Sequence, residues 1–120
     1  MSISLDKQVG WQAHIITLFP DMFPGPLNTS LSGRALENGA WTCQTHDLRA
    51  SGEGRHRAVD DTPAGGGAGM VLRADIASTA LTDTQNKAGD LPVLLPSPRG
   101  LPFTQEMAAD LALGKGAIFM

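Results

Sequence analysis

The sequence predicts an α/β domain with a largely parallel sheet and flanking helices. Two observations carry the prediction. Short apolar runs with β-branched residues alternate along the chain with apolar stripes at helical spacing. Prolines and glycines punctuate the boundaries between them. Strands that alternate with helices are joined by crossovers, and crossovers leave neighbouring strands parallel.

The elements follow in order. Residues 1–12 show no clear period and read as a polar lead-in to a domain spanning residues 13–120. His14-Ile15-Ile16-Thr17-Leu18-Phe19 reads as a buried strand stopped by Pro20. Pro20 and Asp21 suit the first turn of a helix, which Pro24 and Pro26 keep short. A second short helix is expected from Ser32 to Glu37, closed by Asn38-Gly39. Trp41 to Thr45 is a second strand. From Asp47 to Gly69 there is no period, and a stretch of that length inside a compact domain is usually functional or disordered. Leu72, Ile76, Ala77, Ala80 and Leu81 form a helical stripe ended by Gly89-Asp90. Leu91 to Leu95 reads as a buried strand, followed at once by a tight loop at Pro96–Gly100. Thr104 is placed to cap a helix with Met107, Ala108, Leu111 and Ala112 on one face, ending at Gly114. Ala117 to Met120 opens a further strand. Trp11 and Trp41 are read as packing groups, and Met70, Met107 and Met120 as core. No internal repeat or low-complexity tract is visible.

Composition narrows the functional classes. A chain of 120 residues with 42% hydrophobic residues suits one globular domain. A net charge of -3 argues against a generic nucleic-acid coat, and no DNA partner is expected. It leaves open a structured RNA read through a local basic patch. One cysteine, Cys43, forms no intrachain disulfide and suits a reducing cytoplasm. No cluster of Cys and His ligands is visible, so no metal is expected. The stretch Met1 to Gly10 carries Asp6 and Lys7 and lacks a long apolar run, and no run elsewhere approaches a membrane span. The expectation is a cytoplasmic protein with no membrane partner.

Three segments carry chemistry. In Gly65-Gly66-Gly67-Ala68-Gly69, four glycines let a ligand approach main-chain N–H groups, and a helix is expected soon after. That reads as a loop contacting phosphate or cofactor, or as a surface linker; glycines alone do not separate the two. No Gly-Lys-Ser/Thr follows, so it is not a Walker loop. Before it, Arg49, Arg55, His56 and Arg57 form a basic patch in an acidic chain. Forked arginine donors suit phosphate, although a charge run is more often a solvated loop. Asp60-Asp61 lies between patch and glycines; a carboxylate there suits a guanine N1–H or amine, a hydrated metal ion, or a turn before Pro63. His56 titrates near neutrality and suits phosphate donation or proton transfer, or is merely exposed. The third segment is Leu95-Pro96-Ser97-Pro98-Arg99-Gly100, at the C-terminal end of an expected parallel strand, where open α/β sheets bind ligands. It is a stiff rim for a small molecule or an ordinary strand-to-helix turn.

Taken in order, these segments resemble the bacterial tRNA guanine-N1 methyltransferases of the knotted SPOUT class. Leu18-Phe19-Pro20-Asp21-Met22-Phe23 resembles the family's opening motif, and Gly33-Arg34-Ala35 with Asn38-Gly39 its next one. Arg55 to Met70 resembles its long signature, and Ser97-Pro98-Arg99-Gly100 its first cofactor loop. The likeness runs from about Trp11 to Met120. The family commonly has an aromatic residue at the position of Ala64, proline at Ala68, tyrosine at Leu95 and leucine at Pro96.

The resemblance implies S-adenosylmethionine as methyl donor, tRNA as substrate, guanine N1 beside the anticodon as target, and a homodimer. It implies that Leu95, Pro96, Ser97, Pro98, Arg99 and Gly100 line the cofactor pocket. It places Asp60 and His56 in supporting catalytic roles, and Arg55, Arg57, Gly65, Gly66, Gly67 and Gly69 at the tRNA. The family continues past the strand at Ile118-Phe119-Met120 with a Gly-Arg-aromatic-Glu-Gly loop, then a knot-threading segment and the aspartate used as base. The resemblance therefore implies the N-terminal part of a SPOUT trefoil-knot domain, with the knot-forming part absent and no catalysis by this chain alone. The competing reading is a small α/β module that binds RNA or phosphate without catalysis.

Overall fold

The structure, a computed structural model, describes residues 10–52, 59–61 and 71–120. Four strands form a parallel sheet in the order β2-β1-β6-β5. They are β1 (Trp11–Thr17), β2 (Trp41–Asp47), β5 (Val93–Leu94) and β6 (Gly116–Phe119), while β3 (Asp60–Asp61) and β4 (Val71–Leu72) form a separate antiparallel ladder. Three α-helices connect them: α1 (Ser30–Glu37), α2 (Ala74–Ala88) and α3 (Gln105–Ala112). The expected α/β class and parallel sheet are what the structure holds.

β1 sits between two parallel neighbours, aligned Trp11↔Trp41 through Thr17↔Asp47 on one side and Gln12↔Gly116 through Ile15↔Phe119 on the other. Because side chains alternate across a strand, this register sorts the sheet into two faces. Ile16 and Ile118 face α2 and join Ile76 and Ala80 in the core, with Leu48, Val59 and Leu91 completing the cluster. Trp11, Ala13, Ile15 and Phe119 point the other way and line an apolar cavity of about 700 Å³. Each tryptophan ties a helix to that second face. The indole Nε1–H of Trp11 donates to the Leu111 carbonyl of α3 at 2.9 Å, and that of Trp41 to the Ser32 carbonyl of α1 at 2.9 Å. Trp11 also packs against the Phe119 ring at 6.4 Å. Both tryptophans are therefore packing groups, as their sequence setting indicated.

The boundaries differ from the sequence expectation where local hydrogen bonds override period. β1 starts at Trp11 rather than His14, because Trp11 N–H donates to Ala40 and Gln12 N–H to Lys115. It ends at Thr17 because the Thr17 hydroxyl accepts from Phe19 N–H, turning Leu18 and Phe19 out of the sheet. Pro20 and Asp21 open only a 3-10 turn, Pro20–Met22, followed by another at Gly25–Asn28. Helix α1 begins two residues earlier than expected and stops at Asn38 and Gly39, where Gly39 takes φ +81. β2 runs on to Asp47 because it pairs along the whole of β1.

The aperiodic stretch after Asp47 holds more structure than its composition suggested. A 3-10 helix, Leu48–Ser51, is capped by the Asp47 carboxylate accepting from Arg49 N–H, and it buries Leu48. Leu72 belongs to β4 opposite Asp60 and is 43% exposed, so it does not join the helical stripe expected of it. The expected buried strand at Leu91–Leu95 is corrected: strand geometry covers Val93–Leu94 alone, and Val93 and Leu95 are 41% and 69% exposed. The cause is position. Among the described residues, β5 lies at the sheet edge with β6 as its sole neighbour, and its bonds come from Ile118 N–H to Pro92 and Met120 N–H to Leu94. Met107 is half-buried outside the core cluster, Met120 is half-buried and packs against it, and Met70 lies outside the described residues. No helix of the described residues is long and apolar enough to cross a membrane.

Gly116 marks where β6 passes closest to β1. A Cβ there would stand 2.1 Å from the Gln12 carbonyl oxygen, a backbone atom that cannot swing aside. Gly116→Ala is expected to cost ~3 kcal/mol, the upper end for forced overpacking. The urea midpoint of the purified chain measures it, and an unchanged midpoint would contradict the close approach.

Candidate active site

The C-terminal ends of β5 and β6 open onto a cleft of about 720 Å³. One wall is the segment after β5: Leu95, Pro96, Ser97, Pro98 and Gly100 all line it. The tight turn is held by Gly100 N–H donating to the Ser97 carbonyl at 3.0 Å and Arg99 N–H donating to the Ser97 hydroxyl at 3.2 Å. The opposite wall comes from Leu101, Phe103, Met107 and Phe119. Helix α3 carries Met107 into place. Its N-cap, Thr104, accepts from Met107 N–H at 3.2 Å, which satisfies one of the first-turn donors. Pro96 and Phe119 also border the apolar cavity on the sheet's tryptophan face, so they stand between the two spaces.

This cleft has the size and lining of a small-molecule site: mostly apolar walls with a main-chain rim. Leu95, Leu101, Phe103 and Met107 offer apolar surface, while the Ser97–Gly100 turn offers peptide groups to heteroatoms. Of the six residues expected around a cofactor, five line the cleft together. Arg99 is exposed on the same turn and is not among the lining residues.

Asp60 is exposed on β3 and does not line the cleft. Its backbone is nonetheless held through Val59. Val59 before it is 3% exposed within the main core, and the Val59 carbonyl accepts from Arg73 N–H at 2.7 Å. Leu91, which leads into β5, belongs to the same core cluster, so the carboxylate and the cleft wall are anchored on common ground. The guanidinium of Arg73 donates to the Asp75 carboxylate at 2.7 Å and 3.2 Å, and this hydrogen bonding holds the exposed Asp75 carboxyl below its ordinary range. His56, Arg55, Arg57, Gly65, Gly66, Gly67 and Gly69 lie outside the described residues. Among the described residues, no group of three or more His, Cys, Asp or Glu side chains is placed to hold a metal ion.

Sequence reasoning missed the far wall of the cleft. Phe103 is an aromatic residue directly before the Thr104 cap, and Phe119 follows the buried Ile118 by one position on a strand. Alternation would have turned Phe119 to the opposite face, had both sheet faces been considered.

A parallel α/β sheet with a cleft at the carboxyl ends of its strands is the arrangement in which open α/β proteins place small molecules. The comparisons make this specific. The sequence model described as tRNA (Guanine-1)-methyltransferase TrmD matches residues 11–120, and the chain belongs to that family. A tRNA (guanine-N(1)-)-methyltransferase of Roseobacter denitrificans is 61% identical over 103 residues, covering 85% of this chain and 43% of its relative. One from Gluconobacter oxydans is 56% identical over 112 residues, covering 93% and 47%. The chain thus spans a little under half the length of these curated relatives. The solved structure of tRNA (m1G37) methyltransferase from Aquifex aeolicus shares the fold, with a TM-score of 0.79 at 24% identity, over 92% of this chain and 50% of that one.

Val59→Ala is expected to destabilise the chain by about 2 kcal/mol, from lost burial and the cavity left behind. Urea unfolding checks the magnitude. A change near zero would show that the segment carrying Asp60 is not anchored through Val59.

Proposed function

We propose that this polypeptide serves S-adenosylmethionine-dependent methylation of tRNA at guanine N1, next to the anticodon, in the cytoplasm and as part of a homodimer. The observation that carries the reading is the cleft walled by Leu95–Pro98 and Gly100, at the strand ends of a chain that belongs to this family. S-adenosylmethionine supplies an electrophilic methyl group at its sulfonium. The chain's own residues bind and orient. The Ser97–Gly100 turn and the apolar walls hold the donor, and Leu101, Phe103 and Met107 keep water from it. Arg55 and Arg57 contact tRNA phosphates, and Gly65, Gly66, Gly67 and Gly69 let the RNA approach main-chain N–H groups. Asp60 accepts from guanine N1–H or its amine and His56 supports it, turning the ring nitrogen towards the methyl group, while the N1 proton passes to the aspartate that the family carries beyond Met120.

The test is a chimera joining residues 1–120 to the remaining C-terminal sequence of the Gluconobacter relative. With radiolabelled donor, label is expected at guanine N1 of a tRNA carrying guanine beside the anticodon, and not in a tRNA with adenine there. A folded chimera that binds tRNA but transfers no label would favour an RNA-binding module instead. In the active chimera, Asp60→Asn is expected to lower kcat/KM by about a hundredfold, the scale of one positioned proton acceptor. Wild-type kinetics from that variant would remove Asp60 from the reaction.

A further inference from the structure

Two histidines meet on the sheet face that α2 covers. His14 of β1 is 2% exposed, and its Nδ1 lies 3.0 Å from Nε2 of His46 on β2. The rings stack with centroids 5.2 Å apart and 22° between planes. On the far side of His14, Nε2 lies 2.9 Å from the Gln12 amide oxygen. Neither ring lines the cleft or takes part in the proposed transfer.

The bonding order is restrictive. An amide oxygen accepts, so His14 Nε2 donates to Gln12 and His14 Nδ1 must accept from His46 Nε2–H. In that arrangement both rings are neutral and both contacts are satisfied. A first proton is accommodated on His14 Nδ1 when His46 carries its own proton on Nδ1 and accepts through Nε2; a second proton leaves two N–H groups pointing at each other across 3.0 Å. We propose that the His14–His46 pair is a proton-sensitive latch: neutral, it ties β1 to β2 beneath α2, and doubly protonated it breaks.

Among the described residues, neither ring has a carboxylate partner for an added charge. Across the sheet, Ile118 of β6 stands opposite His14, and on its own strand the polar neighbour is the neutral Gln12. From α2, Lys87 projects its field onto His46 and opposes a second positive charge. Burial holds the His14 pKa below the ordinary 6.5, and burial, then His14, then Lys87 lower that of His46. The sign follows. Below pH 6.5 the unfolded chain binds protons that the folded pair refuses, so stability is complete above that value and falls as pH drops beneath it. The loss reaches the core against α2, which also anchors Val59 and Leu91.

Urea unfolding of the 120-residue chain between pH 5.0 and 7.5 tests the latch. The unfolding constant is expected to rise up to about tenfold per pH unit for each histidine held neutral, in a window above the usual carboxylate range. His46→Gln is expected to flatten that rise; a variant that keeps the full rise overturns the proposal. Should that variant not fold, imidazole 15N shifts of the unaltered folded chain decide. His14 and His46 still neutral at pH 6.0 support the latch, and both protonated at that pH in a folded chain overturn it.

Discussion

The in-register parallel pairing of β1 with β2 and β6 is the constraint on which the rest of the molecule depends. It sets Trp11 beside Trp41 and Gln12 beside Gly116, and so decides what each sheet face carries. A slip of one residue would exchange the faces, sending His14 and Ile16 to the open side and the tryptophan to the core. Close approach of backbones enforces the pairing, since Gly116 leaves no room for a side chain against Gln12. The two indole bonds then fix where α1 and α3 can sit, and α3 in turn supplies the far wall of the cleft.

From that frame the site follows with few additional devices. β5 is a two-residue edge strand, and its brevity lets the chain leave the sheet early and turn over the end of β6. The Ser97 hydroxyl and carbonyl close the turn, Thr104 starts the helix that returns, and the space between them is the cleft. The ladder bearing Asp60 is a separate small structure, but Val59 and Leu91 share the core beneath both. The protein therefore positions its cleft wall and the strand bearing Asp60 from one hydrophobic cluster on the α2 face.

Much of this was legible in the residues. Ile15 and Ile16 before Pro20, the stripe Ile76, Ala80, Leu81 before Gly89, and Thr104 three residues before Met107 announce their elements through local chemistry. The family signature pointed to the family, and the Leu95–Gly100 segment it singled out lines one cleft except for Arg99. What escaped depended on contacts distant in sequence. Leu91–Leu95 reads as buried throughout because its composition is apolar; Leu91 is buried, but the exposure of Val93 and Leu95 follows from lying at the edge, which no local pattern encodes. Asp60-Asp61 reads as loop because a two-residue ladder has no period, and its partner lies beyond the glycine run. His14 and His46 sit 32 residues apart and become neighbours through strand register alone.

The tryptophan tethers have a spectroscopic consequence. The sequence contains two tryptophans and no tyrosine, so its intrinsic near-ultraviolet emission originates from Trp11 and Trp41. Both indoles sit on the face opposite α2, one holding α3 and the other α1. Emission from this protein is therefore a reporter of a single side of the sheet. It follows the docking of the two short helices and the filling of the apolar cavity they border, and it is nearly blind to rearrangements beneath α2.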